Sequence, residues 1–366
     1  MIKPNIKQNI TFFWLLQLFL VPIKTSAQVD SLKKIHFGLS GYAETFFLYD
    51  FSNPSEYIRP NFFVSHHRHH EFNLNIGMIR FSAENKKMKT ALAFMTGTYV
   101  NANLAHEPRF LKNIYEANVA LKMSAKNDLW LQMGVFNSHI GFESAIGADC
   151  YTLTRSVAAD NSPYYETGAR LNYKSKDAHW DWSFLLLNGW QRMQRLKNNN
   201  MPSFGTQITY TTNTLVFNSS NYFGNEGTDQ LPIWRYFHNF YMIKKIGTKS
   251  VFIAGLDIGM QRNSFKSKNM YWLSPQVVYR YSLSTKFHIG ARLEHYVDKD
   301  AAITIQQKNA QLNVLGASLN VDYNIIKNIL FRVEFKQLNN NDPIFIAKTT
   351  LSRYNSSIAG AFTVKF

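Results

Sequence analysis

Residues 328–336 alternate, with Leu330 the one departure. Ile329, Phe331, Val333 and Phe335 are apolar, and Arg332, Glu334 and Lys336 between them are charged. Successive side chains of a strand point to opposite faces, so this segment has one apolar side and one ionic side. On a helix the same charges would scatter around the axis. The pattern recurs along the chain. Phe287, Ile289, Ala291 and Leu293 alternate with His288, Gly290, Arg292 and Glu294, and Leu315, Ala317, Leu319, Val321 and Tyr323 with Gly316, Ser318, Asn320 and Asp322. Tyr115, Ala117, Val119 and Leu121 alternate with Glu116, Asn118, Ala120 and Lys122, and Ala169, Leu171 and Tyr173 with Arg170, Asn172 and Lys174. Phe252, Ala254, Leu256, Ile258 and Met260 alternate with Gly255, Asp257, Gly259 and Gln261, whereas residues 233–243 read equally well in either phase. Period two over so many segments predicts an all-β chain of amphipathic strands.

Composition says what the apolar side meets. Aromatic residues make up 15% of the 366, yet mean hydropathy is only −0.25. The aromatics are interleaved with Asn, Ser, Thr, Lys and Arg, which suits a wall with lipid on one side and water on the other. Beyond residue 27 no segment approaches the ~20 apolar residues of a membrane-spanning helix. Connections also alternate in length. Tight turns fall near 85–87, 125–128, 175–178, 211–213, 246–249, 282–285 and 324–328. Long polar loops fall near 52–66, 103–112, 141–161, 191–203, 224–231, 262–268, 298–308 and 338–354. Short periplasmic turns and long outward loops mark a closed, transmembrane, antiparallel up-and-down barrel of the outer membrane. Seven turns and eight loops give about 16 strands, with 14–18 the range the pattern allows. Closure is required, because an open sheet edge in hydrocarbon leaves N–H and C=O groups unpaired.

The first 27 residues read as a cleaved secretory leader. Lys3 and Lys7 precede an apolar stretch at 10–21, and Thr25, Ser26 and Ala27 offer small residues for cleavage. Residues 28–366 then form a single barrel domain. Loss of Lys3, Lys7 and Lys24 with the leader lowers the formal charge from +16 to +13. Export makes nucleic acid the least fitting partner for that charge, and leaves anionic headgroups or anionic solutes. Cys150 is the only cysteine, so no intrachain disulfide can form. Ile358, Gly360, Phe362, Val364 and Phe366 share one face of a final strand, the form that barrel-assembly machinery is expected to recognise.

Several segments resemble the OmpL-like β-barrel porin family: Ser65-His66-His67-Arg68-His69-His70-Glu71-Phe72-Asn73-Leu74-Asn75, Gly97-Thr98-Tyr99, the stretch 107–117, and Ser138-His139-Ile140-Gly141-Phe142-Glu143-Ser144-Ala145-Ile146-Gly147. Asp160-Asn161-Ser162-Pro163-Tyr164-Tyr165-Glu166 and Leu187-Asn188-Gly189-Trp190-Gln191-Arg192 fit as well. The resemblance covers about 35–366 and is most specific between His36 and Arg192. It implies an outer-membrane porin-like barrel of a Gram-negative envelope. It brings no defined substrate, cofactor or catalytic residue.

With the apolar face toward lipid, the ionic face lines the lumen. The expected pore-lining set is Glu44, Glu116, Lys122, Glu166, Arg170, Lys174, Asp257, Arg280, His288, Arg292, Glu294, Arg332, Glu334 and Lys336. Some of these charges are expected to set ion selectivity, and others to pair across strands and stiffen the wall. The loop 141–161, third on the outward side, is the candidate constriction, with Glu143, Asp149, Arg155 and Asp160; an external lid is the competing reading. On a strand His67, His69 and Glu71 would share a face and form a metal triad, although clustered histidines at a loop–strand junction are more often solvated. Ser138 and His139 are adjacent, so on a strand they point apart and cannot act as a nucleophile–base pair with each other. Trp130, Trp180, Trp190 and Trp272 fall near expected strand ends, where an interfacial girdle or packing inside the wall would place them.

These readings converge on a transport channel: passive or weakly selective diffusion of small hydrophilic solutes, with a preference for anions. No enzyme activity, metal or cofactor is expected. The alternatives are a structural or adhesive barrel with a plugged lumen and, less fittingly, an outer-membrane hydrolase. A Gly- and aromatic-rich outer face in contact with membrane lipid would suit a homotrimer.

Overall fold

The computed structural model describes residues 35–263, 268–304, 311–348 and 350–366. The leader expected at 1–27 lies outside the described residues.

The chain runs through β1 (His36–Asp50), β2 (Phe72–Glu84), β3 (Met88–Thr96), helix α1 (Thr98–Asn103), β4 (Ile114–Lys122), β5 (Asp128–Asn137) and a helical turn α2 (Val157–Asp160). It continues through β6 (Tyr165–Lys174), β7 (Trp180–Leu187), β8 (Ser203–Thr211), β9 (Leu215–Asn225), β10 (Ile233–Ile246), β11 (Ser250–Asn263) and β12 (Lys268–Ser282). The last elements are β13 (Phe287–Asp298), β14 (Leu312–Ile326), β15 (Ile329–Asn340), β16 (Phe345–Ala347), β17 (Thr350–Ser352) and β18 (Tyr354–Lys365). Sixteen of these strands pair antiparallel, each with its chain neighbours, to form a closed barrel; β16 and β17 make a separate hairpin within the last outward loop. Closure comes from β1 against β18, in register from Tyr42 opposite Lys365 to Asp50 opposite Ser357. No backbone edge is left to face hydrocarbon, which is the condition for spanning a bilayer with strands. Helices contribute nothing to the crossing, since none among the described residues is long and apolar enough.

The alternation sorts as the sequence dictates. Along β14, Leu315, Leu319 and Val321 are exposed on the outer wall, while Asn320 and Asp322 are fully buried inside. Phe335 and Phe362 likewise face out, and Arg332, Glu334 and Lys336 face in.

The two-phase segment at 233–243 becomes β10, with Arg235, Phe237 and Asn239 inward and Tyr236 and Phe240 outward. Its ambiguity has a physical origin. Phe237 faces the interior yet meets Trp190 and Trp272 (centroids 5.0 and 6.0 Å away), so here the inside of the barrel is itself apolar. The girdle reading of Trp190 and Trp272 therefore fails: both are packed inside. Trp180 is on the outer surface, and Trp130 lines the lumen near the tight turns. Tyr115, expected on the lipid side, instead lines an interior cavity with Ser144 and Tyr164. A register shift between Ala93 and Phe94, which sets Phe94 opposite Ile114, disturbs the alternation at that point.

Candidate functional site: a loop docked in the lumen

The third outward loop, residues 138–164, does not stand above the barrel. It crosses the interior and is fixed to the wall by a dense set of charged hydrogen bonds. Glu334 accepts from the Thr154 amide at 2.5 Å and from the Thr154 hydroxyl at 2.9 Å. Glu294 accepts from the Val157 amide at 2.6 Å, and Asn320 from the Leu153 amide at 3.0 Å. Arg332 donates to the Gly147 and Cys150 carbonyls at 2.7 and 3.2 Å, Arg292 to the Thr154 carbonyl at 2.8 Å, and Lys336 to the Arg155 carbonyl at 3.0 Å. A loop inside a barrel carries backbone groups that water cannot reach. The inward face of β13–β15 supplies their partners through Arg292, Glu294, Asn320, Arg332, Glu334 and Lys336.

The loop also braces itself. Arg155 is buried and donates to the carbonyls of Ser144, Leu153 and Ala145 at 2.6, 2.6 and 3.0 Å. Glu143 accepts from the Ser156 amide at 3.0 Å and from its hydroxyl, and lies 3.4 Å from Arg292. Burial pushes the Glu143 carboxyl above the usual glutamate range, with Arg292 pulling it back. Burial likewise pushes Asp160 up, against Lys336 and Arg155.

On the opposite wall His139 anchors the start of the loop. Its Nδ1 sits 2.8 Å from both Glu166 oxygens and its Nε2 2.8 Å from the Asn221 carbonyl. Gln207 and Ser220 donate to the His139 carbonyl at 3.0 and 2.7 Å. The first loop joins from above. Arg59 pairs with Asp50 at 2.9 Å, and His66 lies 2.9 Å from Glu44. The Val64 amide donates to Asp160 at 3.2 Å, which ties this loop to α2.

Two vestibules remain on either side of the docked loops. The one near the tight turns holds about 840 Å³ and is lined by Arg80, Lys89, Arg170 and Lys174 facing Glu84, Glu116, Asp128 and Asp181. The one at the outward mouth holds about 760 Å³ and has Arg192, Arg195, Lys197 and Arg235 in its wall with Glu107, Asp160 and Glu226.

The closed sixteen-strand wall has architectural relatives. The family model "Putative beta-barrel porin-2, OmpL-like" matches residues 36–366. The chain belongs to this family. It is an outer-membrane barrel of porin type. No curated protein matches the sequence. Among solved structures it is similar to an anion-selective porin from Comamonas acidovorans, at 9% identity and TM-score 0.61 over 91% of this chain and 100% of that one. It is also similar to the outer-membrane channel DcaP of Acinetobacter baumannii (11%, TM-score 0.59, 95% and 100% covered) and to OmpT of Vibrio cholerae in a trimer form (9%, 0.58, 91% and 100%). At such identities the likeness concerns the fold alone.

The porin-type barrel distributes the expected lumen residues into two groups. Glu116, Arg170 and Lys174 line the vestibule near the turns. There Glu116 pairs with Arg80 at 2.7 Å, while Lys122 lies 3.7 Å from Asp128. Glu44, Glu166, Arg292, Glu294, Arg332, Glu334 and Lys336 are covered and bind loop atoms or one another. Asp257, also covered, accepts from Asn239 at 2.5 Å, and Arg280 pairs with Asp322 at 2.7 Å. His288 bonds Ser282 and Asn324 at 2.8 and 3.1 Å. Of the loop set, Arg155, Glu143 and Asp160 sit in the docked body, and Asp149 at its tip reaches Lys365.

The histidine run needs correction. Strand β2 starts only at Phe72, so 66–70 is loop, with His66 and His70 at φ 51° and 58°. His67, His69 and Glu71 therefore share no strand face. His69 accepts from the Asp50 amide at 2.9 Å, and Glu71 binds Arg68 at 2.6 Å. Among the described residues no cluster of His, Cys, Asp and Glu could hold a metal ion. Both ring nitrogens of His139 are committed to Glu166 and a backbone carbonyl, which removes it as a base for Ser138 or any other serine. Sequence reasoning missed Arg59 and His66 as fasteners of the first loop. The four histidines in five residues were the available signal, but the strand was read from His67 on, whereas it starts at Phe72.

Proposed function

We propose that the chain is a narrow diffusion channel for small hydrophilic solutes, weakly selective with an inclination to anions, whose constriction is the third loop. The observation that carries this reading is the docking of residues 138–164 onto β13–β15, with water-accessible vestibules on both sides. The vestibule near the turns balances four cations against four carboxylates, so it contributes little net field. The outward mouth holds four cations and three carboxylates, and those carboxylates are engaged by protein donors, which supports the inclination to anions. Planar-bilayer recording tests the reading: small, steady conductance with a modest anion preference is expected. Strong cation preference would reject the selectivity. A barrel without conductance would favour a structural or adhesive role.

The same proposal takes the leader at 1–27 as removed on export and the terminal strand ending at Phe366 as the signal for barrel assembly. It takes the protein as a homotrimer. Supporting that, the lipid-facing side of β8–β10 carries a polar chain. Asn221 donates to Thr206 at 2.9 Å and also bonds His238, whose Nε2 lies 3.3 Å from the Ser219 hydroxyl.

A further inference from the structure

The outward vestibule contains a guanidinium without a carboxylate partner. Arg235 projects from the inner face of β10 and is 9% exposed. Its Nε and Nη2 both donate to one neutral acceptor, the Gln261 side-chain oxygen, at 3.1 and 2.5 Å. Its planar group lies 5.1 Å from the Trp190 ring and 6.0 Å from the Trp272 ring. Nη1 has no protein acceptor among the described residues. Taking a guanidinium out of water costs several kcal/mol on general grounds unless a counter-charge offsets it.

The acids that share the cavity do not supply that counter-charge. Glu107 accepts from the Met193 amide at 2.7 Å and from the Tyr165 hydroxyl at 3.1 Å. Asp160 accepts from the Val64 amide and from Tyr164 at 3.0 Å. Glu226 accepts from the Trp190 amide at 3.1 Å and from Tyr222, and its contact with Arg192 is long, at 3.7 Å. The three carboxylates are thus directed at the protein, Glu226 being shared with Arg192 at 3.7 Å, while Arg235 is left facing about 760 Å³ of open space.

We propose that the outward vestibule binds a small oxyanion, a carboxylate- or phosphate-bearing solute, with Arg235 as its seat and Arg192 as its second cation. With Nε and one hydrogen of Nη2 held by Gln261, the Nη1 edge of the planar group, with the second Nη2 hydrogen beside it, is the donor pair that fits either group. Arg235 faces the lumen, so a lipid headgroup outside the wall does not reach it. The site deepens the channel reading and rests on it for its purpose, though not for its chemistry.

Calorimetric titration of the purified full chain in detergent tests it, with inorganic phosphate and citrate as probes and glucose as the neutral control. Saturable binding of at least one anion and none of glucose is expected. Arg235→Gln should weaken it on the order of tenfold or more, as loss of a charged hydrogen bond does. Arg192→Gln should weaken it less, and Lys174→Gln, in the other vestibule, should leave it unchanged. Heat-modifiable gel migration verifies that each barrel is folded. Absence of binding to the wild type, or equal affinity in Arg235→Gln, overturns the site. Conductance without anion binding removes the site and keeps the channel; anion binding without conductance does the reverse.

Discussion

Asp149 and Lys365 face each other at 2.6 Å, which places the tip of the third loop beside the turn-side end of the closing strand. The loop therefore traverses the lumen from the outward rim almost to the opposite mouth. Both side chains are about half exposed. An ion pair of that kind is worth only about 0–1 kcal/mol. The position of the tip is maintained instead by buried groups higher in the barrel, chiefly Arg332, which bonds two loop carbonyls while paired to Asp322 at 2.6 Å.

Glu334→Ala should release the loop without opening the barrel. The carboxylate satisfies the Thr154 amide and hydroxyl and lies 3.2 Å from Arg292, all of them buried. Removing one partner from such a network costs about 3–5 kcal/mol, because the remaining charge and donors stay dry. The strand pairing of β15 does not depend on that side chain, so the loop is the part that yields. Larger, noisier single-channel currents and new protease cleavage within 144–150 are expected. Unchanged current together with a protected loop would show that Glu334 is not an anchor.

Gly147→Ala probes the tip by size alone. A Cβ at that position would lie 2.0 Å from a Glu44 carboxylate oxygen. A flexible glutamate would ordinarily swing away, but Glu44 is held by Tyr42 at 2.7 Å, by Asn75 at 2.7 Å and by His66 at 2.9 Å. The tip must shift instead. Conductance should change while thermal stability of the barrel stays within about 1–3 kcal/mol of wild type, the usual range for overpacking. Wild-type conductance in this variant would mean that the tip does not border the path.

Acid should tighten the docked loop through Glu143. Its carboxyl is raised above the ordinary value of 4.5 by burial, less the pull of Arg292 and Ser156. A group that holds its proton more firmly in the docked than in the free loop favours docking at low pH. That contribution is complete below the ordinary carboxylate value and is lost as pH rises through the raised one. Conductance recorded over a descending pH series should fall across this window. Glu143→Gln, which cannot titrate, should flatten that limb. An identical pH profile in the variant would assign the effect to another group.

The wall of the barrel was legible because lipid and water impose opposite demands on adjacent residues. The clean alternating segments, such as the one ending at Lys336, carry their apolar face outward, except at Tyr115 beside the register shift. Legibility fell wherever the lumen stopped being water. Phe237 and Trp272 point inward because loop residues meet them there, so their strands carry no clean polar face. The loop at 141–161 stood out by its length and small residues, but its individual bonds did not. Partners such as Thr154 and Glu334 are 180 residues apart, and nothing local marks them. The histidine run failed for a related reason. Nothing local marks His66 as the partner of the buried Glu44, 22 residues earlier, or keeps the chain in loop as far as Glu71.

The polar chain on β8–β10 gives the last prediction. Asn221 and His238 sit opposite each other in register, with Phe217 and Phe240 exposed on the turn side of them and Tyr236 exposed on the loop side. Phe223 stacks on Trp234 beyond them at 5.3 Å, so the pair lies inside the aromatic rim. Polar and ionisable groups facing hydrocarbon at that depth are costly, and their persistence calls for a partner other than lipid. In a homotrimer this patch would be covered by a neighbouring copy. The double variant Asn221→Leu, His238→Leu separates the cases. If lipid covers the patch, the monomer becomes more stable and the assembly is unaltered. If a second copy covers it, the trimer dissociates in mild detergent while the barrel stays folded. Analytical ultracentrifugation of both proteins, with heat-modifiable migration as the folding control, distinguishes the two; an unchanged trimer would exclude β8–β10 as the interface.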